Sequence, residues 1–244
     1  VKSAVVHGVE YDFEYAESRS EKKLVRISAK REGESYVAEN FVEGVNGFVL
    51  SFTEKISFNY DDTNEWGTAE SNVKLTYNAE NRVTSMKQTG QEEYYCFDEE
   101  YGTQHETGNY DFTIKYNYSS GVLKSTVGTY NDMFGDSEKA IADYSYDAVD
   151  GVQPHTNTYN LYTPQLAVGV AQYDPIAYVL CIRGYMGNAS SVLPTGFTET
   201  HEEFTDGESD YYDSENYIIK YTFDSINRVK SVNMFNDYGT QYVY

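Results

Sequence analysis

The chain has little proline, and all of it lies in one stretch. The four prolines are Pro154, Pro164, Pro175 and Pro194. Proline lacks the backbone N–H that a sheet ladder needs, so it is excluded from sheet interiors. The sequence is therefore divided into two arms that are free to form sheet, residues 1–153 and 195–244, and a middle segment of different character.

Cysteine is also scarce. Cys96 and Cys181 are the two cysteines, and their spacing is not that of a metal site. We expect two free thiols, which pack like small apolar side chains. The sequence leaves a single disulfide between them open, because pairing cannot be deduced from spacing alone.

Long apolar runs are absent. No stretch approaches the roughly 20 apolar residues of a membrane-spanning helix, so we expect no transmembrane helix. The sequence opens at Val1, without Met and without an apolar leader. We expect a targeting segment to be absent from this chain, either removed or trimmed away, and the protein to be exported.

Positive charge is sparse. Lys and Arg number 18 against 39 Asp and Glu, which gives a formal net charge of −21. Such a surface repels phosphate backbones, so we expect no nucleic-acid partner, and anionic membrane surfaces are disfavoured for the same reason. The charge favours solubility. A second interpretation is that it attracts cations or cationic ligands.

Tyrosine and phenylalanine are abundant, with 26 Tyr and 12 Phe. Both favour the half-buried face of a strand. The clearest pattern is residues 48–60, where Phe48, Leu50, Phe52, Ile56, Phe58 and Tyr60 alternate with polar residues and only Glu54 interrupts the apolar face. This period of two predicts one long, one-sided strand. Similar alternation predicts strands around residues 9–15, 24–29, 73–77, 83–86, 94–97, 112–118, 123–127, 144–146, 217–223, 229–234 and 241–244.

One unit occurs twice. Residues 221–232 read Tyr-Thr-Phe-Asp-Ser-Ile-Asn-Arg-Val-Lys-Ser-Val, and residues 75–86 read Leu-Thr-Tyr-Asn-Ala-Glu-Asn-Arg-Val-Thr-Ser-Met. The unit predicts a strand, a tight polar turn and a returning strand. We expect Asn81 and Asn227 to take the left-handed turn position, and Arg82 and Arg228 to pair with nearby acids.

The middle segment contains a predicted helix. Asp174-Pro175 is a good N-cap followed by proline at the first helical position. Residues 176–186 are apolar nearly all round, which predicts a buried helix, and Gly187 fits its C-terminal stop. Arg183 is the only charge in that stretch. We expect its stem to pack and its head to reach a carboxylate or the barrel mouth; the alternative is an anion contact inside a cavity.

The repeated unit resembles the Tyr-Asp repeats, with Asn in place of their glycine. The whole chain is similar to the DUF4595 family of uncharacterised proteins exported by gut Bacteroidetes, described as porin-like. The repeated hairpins, the aliphatic residues 176–186 and the following Val192-Leu193-Pro194 support this likeness. The resemblance implies a barrel-like antiparallel fold and export as a lipoprotein, and it supplies no catalytic residues.

These observations predict a mostly β fold. A large curved antiparallel meander would close as a porin-like β-barrel around a short buried helix, because closure removes exposed edges. We expect one domain over residues 1–244 with a helical insert at about residues 160–194.

No motif assigns chemistry. His7, His105, His155 and His201 form no metal pattern, and each is expected in a loop or in solvent. The pairs Glu92/Glu93, Glu99/Glu100 and Glu202/Glu203 are expected by chance among 39 acids. The oxygen-rich stretches 61–65 and 206–210 are expected to be solvated turns, with hard-cation binding as the alternative. We predict no catalytic residue, no cofactor and no cofactor-binding residue, and metal ligands are left open.

Three functions fit this sequence. The first is a non-catalytic exported protein, periplasmic, anchored to the outer membrane or at the cell surface, that binds a glycan or a protein partner and is monomeric. The second is a glycan-directed hydrolase with an unrecognised carboxylate pair. The third is a transmembrane barrel, which alternation alone would also fit. Exposed Tyr and Trp66 could stack on sugar rings, although most Tyr are expected in the core. We expect a binding site near residues 154–194 or the acidic loops beside them.

Overall fold

A computed structural model describes residues 3–6, 9–17, 22–60, 63–98, 100–157, 175–205, 207–237 and 241–243. Within these residues the chain forms fourteen strands and one helix. In chain order they are β1 (Ser3–Val6), β2 (Val9–Glu17), β3 (Lys22–Arg31), β4 (Glu34–Glu43), β5 (Val49–Tyr60), β6 (Glu65–Tyr77), β7 (Val83–Asp98), β8 (Gly102–Ser119), β9 (Val122–Asn131), β10 (Ser137–Ser145), α1 (Pro175–Ile182), β11 (Gly196–Thr205), β12 (Glu208–Phe223), β13 (Val229–Asn236) and β14 (Gln241–Val243).

The strands form one sheet in which spatial order follows chain order from β1 to β14. The predicted antiparallel meander is confirmed. Its predicted closure is not found among the described residues, where β1 and β14 are the two ends of the sheet and are not paired with each other. These end strands are four and three residues long, so they offer few backbone groups for closing a barrel.

The residues group into two compact units. The first comprises Val1–Leu75, Met86–Phe112 and Asn131–Gly135, and the second comprises Thr76–Ser85, Thr113–Tyr130 and Asp136–Tyr244. The single domain predicted for the whole chain stays a prediction.

Strand β5 shows where simple alternation fails. Val49, Phe52 and Glu54 are buried, whereas Leu50 is 39% exposed, so the prediction that Leu50 shares the apolar face is wrong. The pairing of β4 with β5 shifts register twice here, first at Asn40 on β4 and then at Leu50 on β5, which is the extra residue between two paired positions. Asn40 has a φ of 57°, a conformation typical of a β-bulge. Because a bulge changes which residues face the core, the period of two is broken at this point.

Glu54 lies in the core of the first unit. Its side chain is fully buried, and its Oε2 accepts a hydrogen bond of 3.1 Å from Nε2 of Gln88. The same Gln88 amide donates to Oγ of Ser71 at 3.0 Å. The side chains of Glu54, Ser71 and Gln88, on three neighbouring strands, therefore form a hydrogen-bonded polar cluster in the core. This cluster accounts for the single acidic residue that interrupts the apolar pattern of β5.

The two copies of the repeated unit form the same turn. In the β6–β7 copy, the Asn78 N–H donates to the Arg82 carbonyl at 3.0 Å, and Oδ1 of Asn78 accepts from the N–H of Glu80 and of Arg82. Asn81 has a φ of 60°. The β6–β7 turn is thus held by one side-chain oxygen and one left-handed asparagine, as the sequence predicts.

The β12–β13 copy matches it bond for bond. The Asp224 N–H donates to the Arg228 carbonyl at 2.9 Å, and Oδ1 of Asp224 accepts from the N–H of Ile226 and of Arg228. Asn227 has a φ of 61°. The left-handed turn position predicted for both asparagines is confirmed.

Helix α1 is shorter than predicted. It ends at Ile182 because Gly184 takes a left-handed φ of 77°. The Tyr185 N–H donates to Leu180 O and the Gly184 N–H to Cys181 O, both at 2.9 Å, which is the Schellman pattern of helix ends. Gly184, and not Gly187, is therefore the stop. No helix in the described part of the chain is long and apolar enough to cross a membrane.

The side chains of α1 that the structure describes are buried. They are Ile176, Ala177, Val179, Leu180 and Cys181. Cys181 and Cys96 are both free thiols, and the Cys181 thiol contacts Sδ of Met186 at 2.8 Å. The predicted N-cap Asp174 and the stretch around Pro164 lie outside the described residues.

Candidate functional site

The stretch that follows α1 is bound to two hairpin turns of the second unit. At the β6–β7 turn, the Asn188 N–H donates to Asn81 O and Nδ2 of Asn188 donates to Glu80 O, both at 2.8 Å. At the β8–β9 turn, the Ser191 N–H donates to Gly121 O at 3.0 Å. Residues 187–191 are therefore fixed by backbone and side-chain hydrogen bonds at both ends.

Arg82 strengthens this contact. Its Nε donates to Ala189 O at 3.1 Å, its guanidinium pairs with Glu80, and its Cζ lies 5.9 Å from the ring centre of Tyr118. Its side chain is only 13% exposed. Arg228 in the second copy pairs with Asp224 at 2.7 Å and is 59% exposed. Both arginines pair with acids as predicted, and the hydrogen bond to Ala189 O makes Arg82 a link between the β6–β7 turn and the stretch after α1.

A second segment, residues 149–155, is hydrogen-bonded to the residues that follow this stretch. The Val149 and Val152 N–H groups donate to each other's carbonyls at 3.1 and 2.9 Å. Asp150 and Gly151 between them have φ values of 54° and 80°, as in a type I′ turn. His155 O then accepts from the Leu193 N–H at 2.9 Å, which joins the two segments.

A pocket of about 190 Å³ lies beside these segments, within the second unit. It is lined by residues 149–155 of the turn segment, by the residue before β11 and by β12. The lining residues are Val149, Asp150, Val152, Gln153, His155, Thr195, Ile219, Lys220 and Tyr221.

The pocket lies along an edge of β12. Strand β11 begins at Gly196, which pairs with Ile218, and the Ile219 N–H donates to Thr195 O at 2.8 Å. Strand β12 continues to Phe223, past the start of β11. Alternate N–H groups of an antiparallel strand point to the same side. The N–H of Tyr221 is thus directed to the side of Thr195, where the pocket lies.

Two of the polar lining residues, Lys220 and Asp150, form an ion pair. Nζ of Lys220 lies 2.9 Å from Oδ2 of Asp150. The hydrogen bond and the charge of Lys220 hold the pKa of Asp150 below its ordinary value. Because both side chains are largely exposed, this pair is available to hydrogen-bond a ligand.

The aromatic side chains of the pocket are held by contacts with neighbouring residues. The Tyr221 hydroxyl donates to Pro194 O at 2.9 Å, and burial raises the pKa of Tyr221. The His155 ring lies against Phe223 with ring centres 4.4 Å apart. These contacts order the rings before any ligand arrives, which lowers the entropic cost of binding.

The histidines fall into different environments. His155 lines the pocket, His105 stacks on Tyr95, and His201 lies near Glu138. His7 lies outside the described residues. His105 projects from β8 and is exposed, as expected of a solvated residue, whereas His201 projects from β11 and is half-buried, so the expectation fails for His201.

Arg183 lies at the end of α1 and is exposed. Since Gly184 ends the helix directly after it, Arg183 is at the C-cap and not within the apolar core. The alternative in which it contacts an anion inside a cavity is therefore not supported.

Adjacent carboxylates do not converge. Glu92 and Glu93 are neighbours on β7, and Glu202 and Glu203 are neighbours on β11. Successive side chains of a strand point to opposite faces of the sheet. The two carboxylates of each pair are therefore directed to opposite faces of the sheet. Glu99 of the third pair lies outside the described residues.

The two oxygen-rich stretches are only partly described. Glu65 belongs to β6 and accepts a hydrogen bond of 2.7 Å from the Tyr94 hydroxyl. Glu208 and Asp210 are exposed residues of β12, and Gly207 before them has a φ of 81°. Asp61, Asp62 and Asp206 lie outside the described residues, so cation binding at these stretches stays a prediction.

Trp66 lies on the outer face of the first unit. Its ring stacks on Tyr95 with centres 5.6 Å apart, and Tyr95 stacks on His105 at 4.2 Å. The three rings stand on β6, β7 and β8, and Trp66 is 37% exposed. The stacking covers most ring faces, so this row fits cross-strand stabilisation better than a flat sugar platform.

Comparison with solved structures supports the architecture. A porin-like protein from Bacteroides vulgatus matches with a TM-score of 0.54 and 12% identity, over 99% of this chain and 93% of that chain. The fold is porin-like. A second porin-like protein, from Bacteroides uniformis, matches with a TM-score of 0.34 and 14% identity, over 97% of this chain and 93% of that chain. No protein-family model and no curated protein matches.

The pocket lies mostly outside the region in which the sequence predicts a binding site, and that prediction stays a prediction. The predicted site near residues 154–194 includes His155, but Asp150, Lys220 and Tyr221 were not singled out. Lys220 and Asp150 are 70 residues apart, so no local pattern links them. The one local signal was Asp150-Gly151, a turn pair after a strand.

Proposed function

We propose that this is an exported, non-catalytic protein that binds one sugar unit of a glycan, or a polar ligand of similar size, in the pocket beside β12. The observation that carries the proposal is the pocket itself, in which an apolar and aromatic wall lies next to the Lys220–Asp150 pair.

The size of the pocket favours a small ligand. Its volume is about 190 Å³, whereas pockets for drug-sized ligands measure roughly 300–1,000 Å³. A single six-membered ring is a suitable occupant, with the rest of a longer chain left in solvent. A glycan would accordingly be recognised by one unit.

The chemistry of the lining favours a hydroxylated ring. The C–H face of a sugar packs against aromatic and apolar side chains, here Tyr221, Ile219 and Val152. Its hydroxyl groups need donors and acceptors, which Lys220 and Asp150 supply. The Tyr221 N–H adds a fixed backbone donor on the same side.

A non-catalytic role is supported by the charge arrangement. Asp150 is the one carboxylate among the lining residues that the structure describes, and it is paired with Lys220. Glycoside hydrolysis ordinarily requires two carboxylates that flank the bond. Binding without turnover is the simplest function for this set of groups.

Export and family membership are part of the same proposal. The porin-like fold, the repeated hairpins and the position of α1 before Leu193-Pro194 support membership of the DUF4595 family. We infer an exported, monomeric lipoprotein in the periplasm, on the outer membrane or at the cell surface. The upstream gene sequence tests this inference. A signal peptide ending in a lipid-attachment Cys is expected, and a gene whose start codon directly precedes Val1 contradicts it.

The binding proposal is tested with a glycan array and titration calorimetry. Fluorescently labelled protein selects glycans on the array, and the terminal monosaccharide of each is then titrated. We expect Lys220→Met to weaken binding about tenfold, because it removes a charged hydrogen bond worth about 1.5–3 kcal/mol. Lys230→Met, an exposed lysine on β13, is the matched control and should leave affinity unchanged. Absence of any array signal, or equal losses in both variants, would refute the proposal.

A hydrolase remains the second candidate, on one observation. Glu92 is half-buried on β7, and burial together with the charge of Asp132 raises its pKa. A carboxyl with a raised pKa next to a second carboxyl is typical of a general acid. Release of reducing sugar from any glycan of a panel, lost in Glu92→Gln and retained in Glu93→Gln, would favour the hydrolase over the binding protein.

A further inference from the structure

A histidine and two glutamates meet on strands β10 and β11, away from the residues that line the pocket. The candidate ligand atoms of Glu138, His201 and Glu203 all lie within 4.8 Å of one another. We propose that these three residues bind a divalent transition-metal ion, with Zn²⁺ as the best match to their chemistry.

The register of the two strands brings the three side chains to one face. Glu138 pairs directly with Glu203, and His201 is two residues away from Glu203 on the same strand. Residues two apart on a strand share a face. The same face carries the buried Tyr144 and Phe197, which pair with each other further along. The three proposed ligands therefore lie on the face of the sheet that is buried at Tyr144 and Phe197, further along the same two strands.

The pairing of two glutamates needs an explanation. Like charges placed directly opposite each other destabilise an antiparallel pair. Glu138 and Glu203 occupy such a position, in a chain whose net charge is already −21. A bound cation would turn this repulsion into coordination. The acidic field of the whole chain would also raise the local concentration of cations.

The histidine points to the kind of cation. Nε2 of His201 is buried and has no hydrogen-bond partner among the described residues, while Oε2 of Glu138 lies 3.5 Å away. An imidazole nitrogen is a ligand for Zn²⁺ and similar ions, whereas Ca²⁺ and Mg²⁺ prefer oxygen alone. The mixed set of one nitrogen and two carboxylates therefore favours a transition metal.

The spacing fits a tetrahedral ion. With metal–ligand bonds of about 2.1 Å, neighbouring ligands of a tetrahedral site are about 3.4 Å apart. The observed 3.5 Å between Glu138 and His201 matches one such edge. The remaining separations, at most 4.8 Å, need a shift of about 1 Å by flexible glutamate side chains.

The neighbours of His201 are a small side chain and an aromatic ring. His201 lies opposite Ala140 on β10, so a single methyl group faces the imidazole across this strand pair. On its other side, the His201 ring meets Tyr211 of β12 edge-on, with ring centres 6.3 Å apart and an angle of 77°. Three protein ligands leave a fourth position for water or for a group of a partner molecule.

The test measures zinc binding to the purified chain after treatment with EDTA. Titration with ZnCl₂ should give one Zn²⁺ per chain and raise Tm as the concentration increases. MgCl₂ and CaCl₂ should compete poorly. His201→Gln and Glu203→Gln should each weaken zinc binding by about tenfold or more.

The neighbouring residue supplies a matched control. Glu202→Gln removes the same charge from the opposite face of β11 and should leave zinc affinity within about twofold of wild type. His105→Gln controls for the loss of an imidazole elsewhere. An equal loss in Glu202→Gln, or equal binding of Ca²⁺ and Zn²⁺, would show diffuse attraction to acidic groups and overturn the proposal.

A spectroscopic measurement keeps the proposal testable if a variant fails to fold. Zinc K-edge absorption on the wild-type protein should show a first shell of nitrogen and oxygen at about 2.0–2.2 Å with the outer-shell pattern of one imidazole. A shell of oxygen alone, or no stoichiometric zinc after dialysis, would contradict the assignment. This result does not depend on whether the pocket beside β12 binds a ligand.

Discussion

The two copies of the repeated hairpin place an arginine at equivalent positions, which provides a pair of matched variants. Arg82 and Arg228 occupy the same position of the same turn, and each pairs with an acid of its own turn, Glu80 for Arg82 and Asp224 for Arg228. Arg82 also donates to Ala189 O. Replacing each by Met keeps a long apolar stem and removes the guanidinium. The free energies of unfolding of the two variants should therefore differ by the contribution of the Arg82 contact with residues 187–191.

The magnitude follows from exposure and charge. A hydrogen bond from a charged group to a buried acceptor is worth about 1.5–3 kcal/mol, and the Arg82 side chain is only 13% exposed. Arg228 is 59% exposed, and surface ion pairs contribute about 0–1 kcal/mol. We expect Arg82→Met to lower Tm by about 4–10 °C and Arg228→Met by at most about 3 °C.

Two assays check this expectation. Circular dichroism gives Tm for both variants, and hydrogen exchange reports the amides of residues 187–191, where the Asn188 N–H is bonded to Asn81 O. Arg82→Met should speed exchange there, and Arg228→Met should not. Equal losses of Tm, or unchanged exchange at Asn188 in Arg82→Met, would refute the role assigned to Arg82.

Three further predictions concern the same framework. Gly187→Ala should lower the free energy of unfolding by at least about 2–3 kcal/mol, because a Cβ at this position would lie 2.2 Å from Asn81 O and the φ is 81°. Gly184→Ala has open space around its Cβ and should lower it by only about 1–2 kcal/mol. Thermal or urea melts measure both changes. Leu180→Ala should cost about 2–5 kcal/mol, because the side chain is fully buried, and a loss below 1 kcal/mol would contradict its place in the core. Backbone and side-chain hydrogen bonds from Arg228 lower the pKa of Asp224 in the folded protein. The ionised Asp224 side chain therefore stabilises the fold above its ordinary pKa of 3.8, and this stabilisation is lost as the pH falls through the pKa of the folded state. Asp224→Asn should remove this pH-dependent stabilisation, so the difference in Tm between wild type and variant should shrink between about pH 5 and pH 2. A difference in Tm that stays constant over this range would contradict the stabilising role of ionised Asp224.

Local chemistry explains what the sequence could predict. The asparagine of each repeated turn was readable because few residues other than glycine adopt a left-handed conformation, and both have φ near 60°. Aromatic alternation located most strands because one face of each is buried. Strand β4 was missed, since the bulge at Asn40 breaks the alternation of its buried Tyr36, Ala38 and Phe41.

The remaining features depend on contacts between distant residues. Helix α1 ends before Gly184, and not before Gly187 as the sequence predicts. Either glycine can take a positive φ, and which of them ends the helix depends on tertiary packing. The pocket joins Asp150 to Lys220, and the proposed metal site joins Glu138 to His201. The register of β10 and β11 sets the second contact, and the position of the 149–152 turn beside β12 sets the first. Neither is contained in the sequence of one segment alone.

The most direct test of the proposed function is a crystal structure of the protein with the monosaccharide selected by the glycan array. Electron density for one sugar ring is expected against Tyr221, with hydroxyl groups within hydrogen-bond distance of Lys220 or Asp150. Density on the outer face at Trp66, with the pocket beside β12 empty at a saturating ligand concentration, would contradict the assignment of the site.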